Sequence, residues 1–153
     1  MSKHKIFIKI AKEFSLLSKC QSKQVCALFV KDNRIISTGI NGTPSGIFNC
    51  SDYFDKDDII KHNDKRIKHH EFSDDTEIHA EMNGIIYAAK NGINLSGSIV
   101  YCTIEPCLNC IKHLLALEIQ KIYYNEEYDI INKNKWYKQM ILESGLQLIK
   151  IKI

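Results

Sequence analysis

Two short segments carry residue types and spacings that can do chemistry: His79-Ala80-Glu81 and Pro106-Cys107-Leu108-Asn109-Cys110. One imidazole and two thiolates suit Zn2+, and three protein ligands leave the fourth tetrahedral position to water, as in hydrolytic zinc sites. A metal so held lowers the pKa of its bound water to about 7. Glu81 lies too close to His79 in sequence to be a natural fourth ligand, but it is well placed to touch that water and take its proton. Cys107 and Cys110 are three apart and so share one face of a helix. Taken alone, a Cys-x-x-Cys pair is also a redox pair or half of a structural zinc site, and His-Ala-Glu is three common residues. A purely structural site built on two cysteines and a histidine would want a fourth protein ligand and would leave Glu81 without a role.

The elements around these segments must bring them together. Ile78–Lys90 is apolar at Ile78, Met82, Ile85, Ile86 and Ala89 and stops at Asn91-Gly92, which predicts a helix. Cys107–Leu117 predicts a second helix, opening after Pro106. His79, Glu81 and both cysteines then lie in first helical turns, where the helix dipole favours thiolate over thiol. Ser98–Thr103 and Lys121–Tyr124 read as strands, Lys135–Glu143 as a helix ended by Gly145, and Leu146–Ile151 as a last strand. Upstream, Lys5 to Leu17 fits an amphipathic helix. Gln24–Val30 and Arg34–Ile40 flank Lys31-Asp32-Asn33 as a β-hairpin. The expected architecture is α/β with a mixed sheet. It is expected to form a single zinc-dependent domain over 1–153, interrupted by a long polar loop over about 41–77.

Composition bounds the rest. The chain has 153 residues, 44% hydrophobic and 25% charged, which fits a globular protein with one real core. A net charge of +3, from 21 basic and 18 acidic residues, does not demand nucleic acid. No apolar run approaches the ~20 residues that span a bilayer, and the N-terminus lacks a long apolar signal region. The expectation is a cytoplasmic protein (host cytoplasm if viral) with no membrane and no nucleic-acid partner. Its six cysteines, Cys20, Cys26, Cys50, Cys102, Cys107 and Cys110, are then ligands or buried thiols rather than disulfides.

The paired segments match the H-x-E…P-C-x-x-C signature of zinc nucleobase deaminases, in which water attacks C4 of a cytosine ring, the glutamate moves protons and ammonia leaves. A closer resemblance runs from about Cys20 to Tyr128. Asn41-Gly42-Thr43-Pro44-Ser45-Gly46, with Asn49-Cys50 following, resembles the "GYNG-x-P-x-G…NC" segment of deoxycytidylate (dCMP) deaminases, especially the phage type. Glu77-Ile78-His79-Ala80-Glu81-Met82-Asn83 resembles that family's "E-I-HAE-x-N". The resemblance implies a three-layer α/β/α cytidine-deaminase-like fold with a five-stranded mixed sheet. The implied activity is hydrolysis of dCMP to dUMP and ammonia, a reaction of the hydrolases acting on cyclic amidines, which supplies dUMP for thymidylate synthesis. It also implies a hexamer, with dCTP as activator and dTTP as inhibitor, and Mg2+ accompanying the triphosphate effector. Substrate contacts are expected at Asn41, Ser22, Lys23, Thr43 and Tyr128, and effector contacts at Asn41, Gly42 and Gly46. Asn41 offers both donor and acceptor to a sugar hydroxyl, although Asn-Gly with Pro and Gly nearby is also an ordinary turn. Ile40, Cys26 and Gly84 depart from the family's Tyr, Gly and Ala, and Ser22-Lys23-Gln24 stands where many relatives carry Arg and Lys.

The polar stretch also contains Cys50, His62, His69, His70 and Glu71. Phage-type relatives hold a structural zinc here, and the resemblance assigns Cys20, Cys50, His69 and Glu77 to it. Two cysteines, a histidine and a carboxylate make a legitimate closed tetrahedral set. Two other readings stay open. Thr103-Ile104-Glu105-Pro106-Cys107 looks more like tRNA-adenosine or riboflavin-pathway deaminases, and a non-catalytic zinc-stabilised binding module would use the same ligands.

Overall fold

The structure, a computed structural model, describes residues 1–128 and 134–153. Alternation along Cys26–Lys31 (β1) sends Ala27 and Phe29 to one face of a sheet and Cys26, Leu28 and Val30 to the other. Both sets are buried, so β1 needs cover on both sides. Arg34–Ile40 (β2) is half exposed and takes the sheet edge. Asp32 and Asn33 turn the hairpin with φ of 50° and 59°, the left-handed pair that a two-residue turn between twisted strands requires.

The sheet is five-stranded, in the order β2-β1-β3-β4-β5. β1 runs antiparallel to β2 and to β3 (Ile99–Ile104), while β3, β4 (Lys121–Glu126) and β5 (Gln147–Lys150) are parallel. One face packs against α4 (Ala80–Asn91), α5 (Leu108–Ala116) and α6 (Lys135–Ser144), with Ala80, Ile111, Leu114 and Tyr137 meeting Phe29, Val100 and Ile122. The other is covered by α1 (Lys3–Ser15), whose Ile8 and Ala11 meet Leu28, Tyr101 and Tyr123. The α/β class with a mixed sheet is the one the elements predict, and the three layers are those the family resemblance implies. Asn91-Gly92 stops α4 as expected, with Gly92 left-handed at φ 64°. No described helix is long and apolar enough to cross a membrane.

The expected long loop over 41–77 is corrected. Cys50–Asp52 forms a 3-10 turn, and Lys56–Lys61 (α2) and Asn63–Thr76 (α3) are α-helices. The sequence hides α3 because its charged and polar residues surround it on all sides, leaving no apolar stripe for periodicity to detect. Tertiary contacts order it instead. Phe72 packs with Phe48, Tyr53 and Phe54 at centroid distances of 5.2–6.1 Å. Asp55 caps α2 by accepting from the backbone N–H groups of Asp57 and Asp58.

The departure at Gly84 has a packing cause. A Cβ on Gly84 would stand 2.5 Å from Phe29 Cε2, and one on Gly39 would stand 1.9 Å from the Ala80 carbonyl oxygen. The two glycines let α4 lie directly on β2, where Ser37 Oγ donates to the Gly84 carbonyl at 2.6 Å. Gly39→Ala is expected to cost about 3 kcal/mol, because backbone rather than a flexible side chain must move. Gly84→Ala is expected to cost about 1 kcal/mol, since its gain in helix propensity offsets part of the clash with Phe29. Urea unfolding of both variants measures this, and stabilisation by Gly39→Ala would contradict the packing account.

Candidate metal centre and active site

Strand polarity gathers the site at one sheet edge. Ile104 pairs with Glu126, so the parallel strands β3 and β4 end side by side and lead into Cys107 and Tyr128. β1 begins and β2 ends at this same edge, with Cys26 opposite Ile40 and Ala27 opposite Cys102. Residues 22–25 and 41–43 therefore join them. Open α/β sheets bind ligands beyond the carboxyl ends of their parallel strands. α4 starts here too. Gly42 and Ile78 exchange backbone hydrogen bonds of 2.8 and 3.1 Å, which fixes the step into His79. Asn83 Nδ2 donates to the Ile40 carbonyl at 2.6 Å and ties the first turn of α4 to the end of β2.

His79 is the N-cap of α4 and Cys107 that of α5, with Cys110 one turn on. His79 Nδ1 lies 3.4 Å from Cys107 Sγ and 3.5 Å from Cys110 Sγ, and all three ligand atoms lie within 4.8 Å of one another. Tetrahedral zinc bonds to nitrogen and sulfur span an N···S edge of about 3.6 Å, so this triangle fits the ion. Glu81 is 4% exposed, and its Oε2 accepts from the Cys110 thiol at 3.4 Å. Burial holds the Glu81 carboxyl above the usual carboxylate range. Hydrogen bonding to Cys110 is the main influence pulling the Cys107 thiol down to about 4, while the same contact and burial push Cys110 far up. The contact with Cys107 is also the main reason that His79 is raised. The group thus combines thiolate character at Cys107 with a buried carboxyl raised above its ordinary range, a pairing suited to metal-assisted hydrolysis.

A second group forms behind the loop edge. Ligand atoms of Cys20, Cys50, His69 and Glu77 also lie within 4.8 Å of one another, with His69 Nε2 3.6 Å from Cys20 Sγ. His69 is turned inward at 5% exposure, edge-on to Phe54 at 5.2 Å. Its neighbour His70 faces outward and sits 3.2 Å from Asp74. Glu77 Oε2 accepts from Ser73 Oγ at 2.8 Å, while Oε1 is buried without a hydrogen-bond partner among the described residues. Burial pushes the Cys20 thiol up to about 12, raises Cys50 and lowers His69. Such a cluster is costly without a cation and well matched to one, and an orphaned buried carboxylate oxygen beside two thiols fits a metal. The Gln21 N–H points at Cys50 Sγ at 3.3 Å, and the Ser22 and Lys23 backbone N–H groups point at Cys20. Sequence reasoning missed Ser73; its spacing of one helical turn from Glu77 was the available signal.

Of the expected substrate residues, Asn41 is already engaged. Its Oδ1 accepts from Val25 N–H and its Nδ2 donates to the Lys23 carbonyl, both at 2.8 Å, so it braces the 22–25 segment. One amide hydrogen and one lone pair are left over for a ligand. Lys23 Nζ lies 5.9 Å from the centroid of the Tyr128 ring, which brings those two side chains together. Ser22 is exposed beside Lys23. Thr43 Oγ1 donates to the Phe48 carbonyl at 2.6 Å and closes its own turn. Asn41, Gly42 and Thr43 also line a separate cavity of about 390 Å3 between β2 and the outer side of α4, whereas Gly46 lies outside its lining in an exposed turn with φ 88°.

A helix-borne His-x-Glu facing a helix-borne Cys-x-x-Cys on a three-layer sheet defines a zinc-type deaminase fold. The chain belongs to the cytidine and deoxycytidylate deaminase zinc-binding family, whose model matches residues 1–126. It is 34% identical to the deoxycytidylate deaminase of Enterobacteria phage T4, in an alignment covering 94% of this chain and 87% of that protein. The crystal structure of the dCMP deaminase of cyanophage S-TIM5 in complex with dCMP and dUMP superposes with a TM-score of 0.74, covering 99% of each chain at 29% identity. The Thermotoga maritima diaminohydroxyphosphoribosylaminopyrimidine deaminase/reductase gives a TM-score of 0.64 at 20% identity, covering 96% of this chain and 36% of that one, and shares the fold.

Proposed function

We propose that this protein hydrolyses dCMP to dUMP and ammonia and so supplies dUMP for thymidylate synthesis. The observation that carries this reading is the His79, Cys107 and Cys110 triangle with Glu81 buried against it, in a chain similar to phage dCMP deaminases over nearly its whole length. His79, Cys107 and Cys110 would hold a zinc ion, which supplies a water acidified to about pKa 7. Glu81 takes a proton from the attacking water and delivers it to ring nitrogen N3. It then takes the second proton from the hydroxyl now on C4, as the C4 carbonyl forms, and passes it to the departing amino group, which leaves as ammonia. A carboxyl raised by burial is suited to both the basic and the acidic half of that cycle.

Lys23 and Ser22 are the groups for the 5′-phosphate, the leftover valences of Asn41 for the sugar, and Tyr128 for the far side of the site. Thr43, turned into its own loop, would contribute through that loop's shape. Cys20, Cys50, His69 and Glu77 would hold a second, structural zinc. A dCTP activator or dTTP inhibitor, with Mg2+ on its phosphates, is assigned to Asn41, Gly42 and Gly46. The cavity lined by the first two supports that assignment. A homo-hexamer acting in the cytoplasm, host cytoplasm if viral, completes the reading, as one domain over 1–153.

Initial rates on dCMP, deoxycytidine, dCTP and cytidine test the substrate. The expected kcat/KM on dCMP exceeds that on deoxycytidine by about 100-fold, the scale of two charge-assisted phosphate contacts. Equal turnover of nucleoside and nucleotide, or turnover of adenosine in RNA instead, would overturn the assignment.

A further inference from the structure

Glu105 stands between β3 and Pro106-Cys107, and it is 4% exposed. A buried carboxylate needs donors. Tyr128 donates its backbone N–H to Oε2 at 3.2 Å, and the Tyr137 hydroxyl lies 3.2 Å from Oε1 and 3.1 Å from the Pro106 carbonyl. That hydroxyl has one proton, which Glu105 and Pro106 compete for. The backbone of Glu105 is fixed as well, its N–H donating to the Glu126 carbonyl at 2.8 Å. Three parts of the fold therefore meet on one carboxylate: the step into Cys107, the segment leaving β4, and α6 through buried Tyr137.

α6 does not depend on this contact for its place. Tyr137, Met140 and Ile141 pack into the core with Leu114, Ile122 and Leu146. The backbone of Tyr128 has just left β4 at the carboxyl ends of the parallel strands, with its ring near Lys23 Nζ. The hydrogen bond from its N–H to Glu105 is one of the contacts that place the ring.

We propose that Glu105 is a positioning residue for the substrate: it holds the Tyr128 backbone so that the Tyr128 ring and Lys23 face each other across the site, and Tyr137 braces it from α6. The proposal rests on the reading of Tyr128 and Lys23 as substrate contacts in a dCMP deaminase. Its consequence falls on binding more than on the chemical step, because Glu81 and the three ligands are held by α4 and α5.

Steady-state kinetics on dCMP with the zinc-loaded full chain test it. Glu105→Ala is expected to raise KM about tenfold, as befits one lost charge-assisted hydrogen bond, while kcat changes by less than about threefold and zinc per chain is unchanged. Glu105→Gln, whose amide oxygen still accepts from Tyr128 N–H, is expected to restore most of the wild-type KM. In a Tyr128→Ala background, Glu105→Ala is expected to add no further rise, because the effect travels through Tyr128. Glu105→Met, which fills a similar volume without acceptor oxygens, is read the same way if the alanine variant does not fold. An unchanged KM, a further rise in the Tyr128→Ala background, or loss of kcat and zinc at unchanged KM would each overturn the proposal. Wild-type protein that leaves dCMP untouched would instead overturn the functional reading, and this inference with it.

Discussion

Glu81→Gln is expected to lower turnover of dCMP by about 10^4-fold with KM nearly unchanged, the upper range for losing a positioned general acid-base, or about 5.5 kcal/mol of barrier. Gln keeps the size of Glu and can still accept from the Cys110 thiol, so the effect isolates proton transfer from shape. Stability should hold or rise slightly. The wild-type carboxyl is buried and pays for desolvation, as its raised pKa shows, and a neutral amide does not. Zinc content should also hold, since the triangle of His79, Cys107 and Cys110 does not include Glu81. Rate, metal analysis and thermal unfolding on the same preparation check all three. Activity within tenfold of wild type would remove Glu81 from the proton path.

The second large effect concerns the cluster behind the loop. Wild-type protein is expected to contain two zinc ions per chain, and His69→Ala to retain one. The remaining Cys20, Cys50 and Glu77 would then be buried beside one another without their imidazole partner, and loss of structural zinc forfeits folding free energy directly. We expect stability to fall by about 3 kcal/mol or more, with melting of α2 and α3 ahead of the sheet. The loss should also reach the active site. The N–H groups of Gln21, Ser22 and Lys23 all point at the two sulfurs, so the segment that carries the proposed phosphate contacts is wrapped around this cluster. KM for dCMP should rise while the zinc at His79, Cys107 and Cys110 remains. Metal analysis of wild type and variant, with amide exchange over 50–77, reads this. One zinc per wild-type chain would remove the second centre.

That His79, Glu81, Cys107 and Cys110 would come together was legible because these residues are scarce in type and fixed in spacing, and because helix periodicity placed them at helix starts, where the structure has His79 and Cys107 as N-caps. The α/β class followed from the same periodicity, with β1 readable as a short apolar strand. The insertion was not legible in the same way. α3 has only Ile67 and Phe72 as large apolar residues, and its order comes from aromatic contacts and from the Cys20, Cys50, His69 and Glu77 cluster, all of them tertiary. Gly84 stood in the sequence only as a departure from the family's Ala, and the contact with Phe29 that explains it crosses from helix to sheet. Asn41 shows a third limit. Its side-chain chemistry suits a ligand, but only the fold reveals that Val25 and Lys23 already use half of it.

The central claim is that this chain deaminates dCMP through the site formed by His79, Glu81, Cys107 and Cys110. The most direct measurement follows purified, zinc-loaded protein with dCMP alone and quantifies dUMP and ammonia together. The expected result is one ammonia for each dUMP, formed until dCMP is consumed, and no product from Glu81→Gln on the same timescale. Unchanged dCMP under those conditions, or a product other than dUMP, would contradict it.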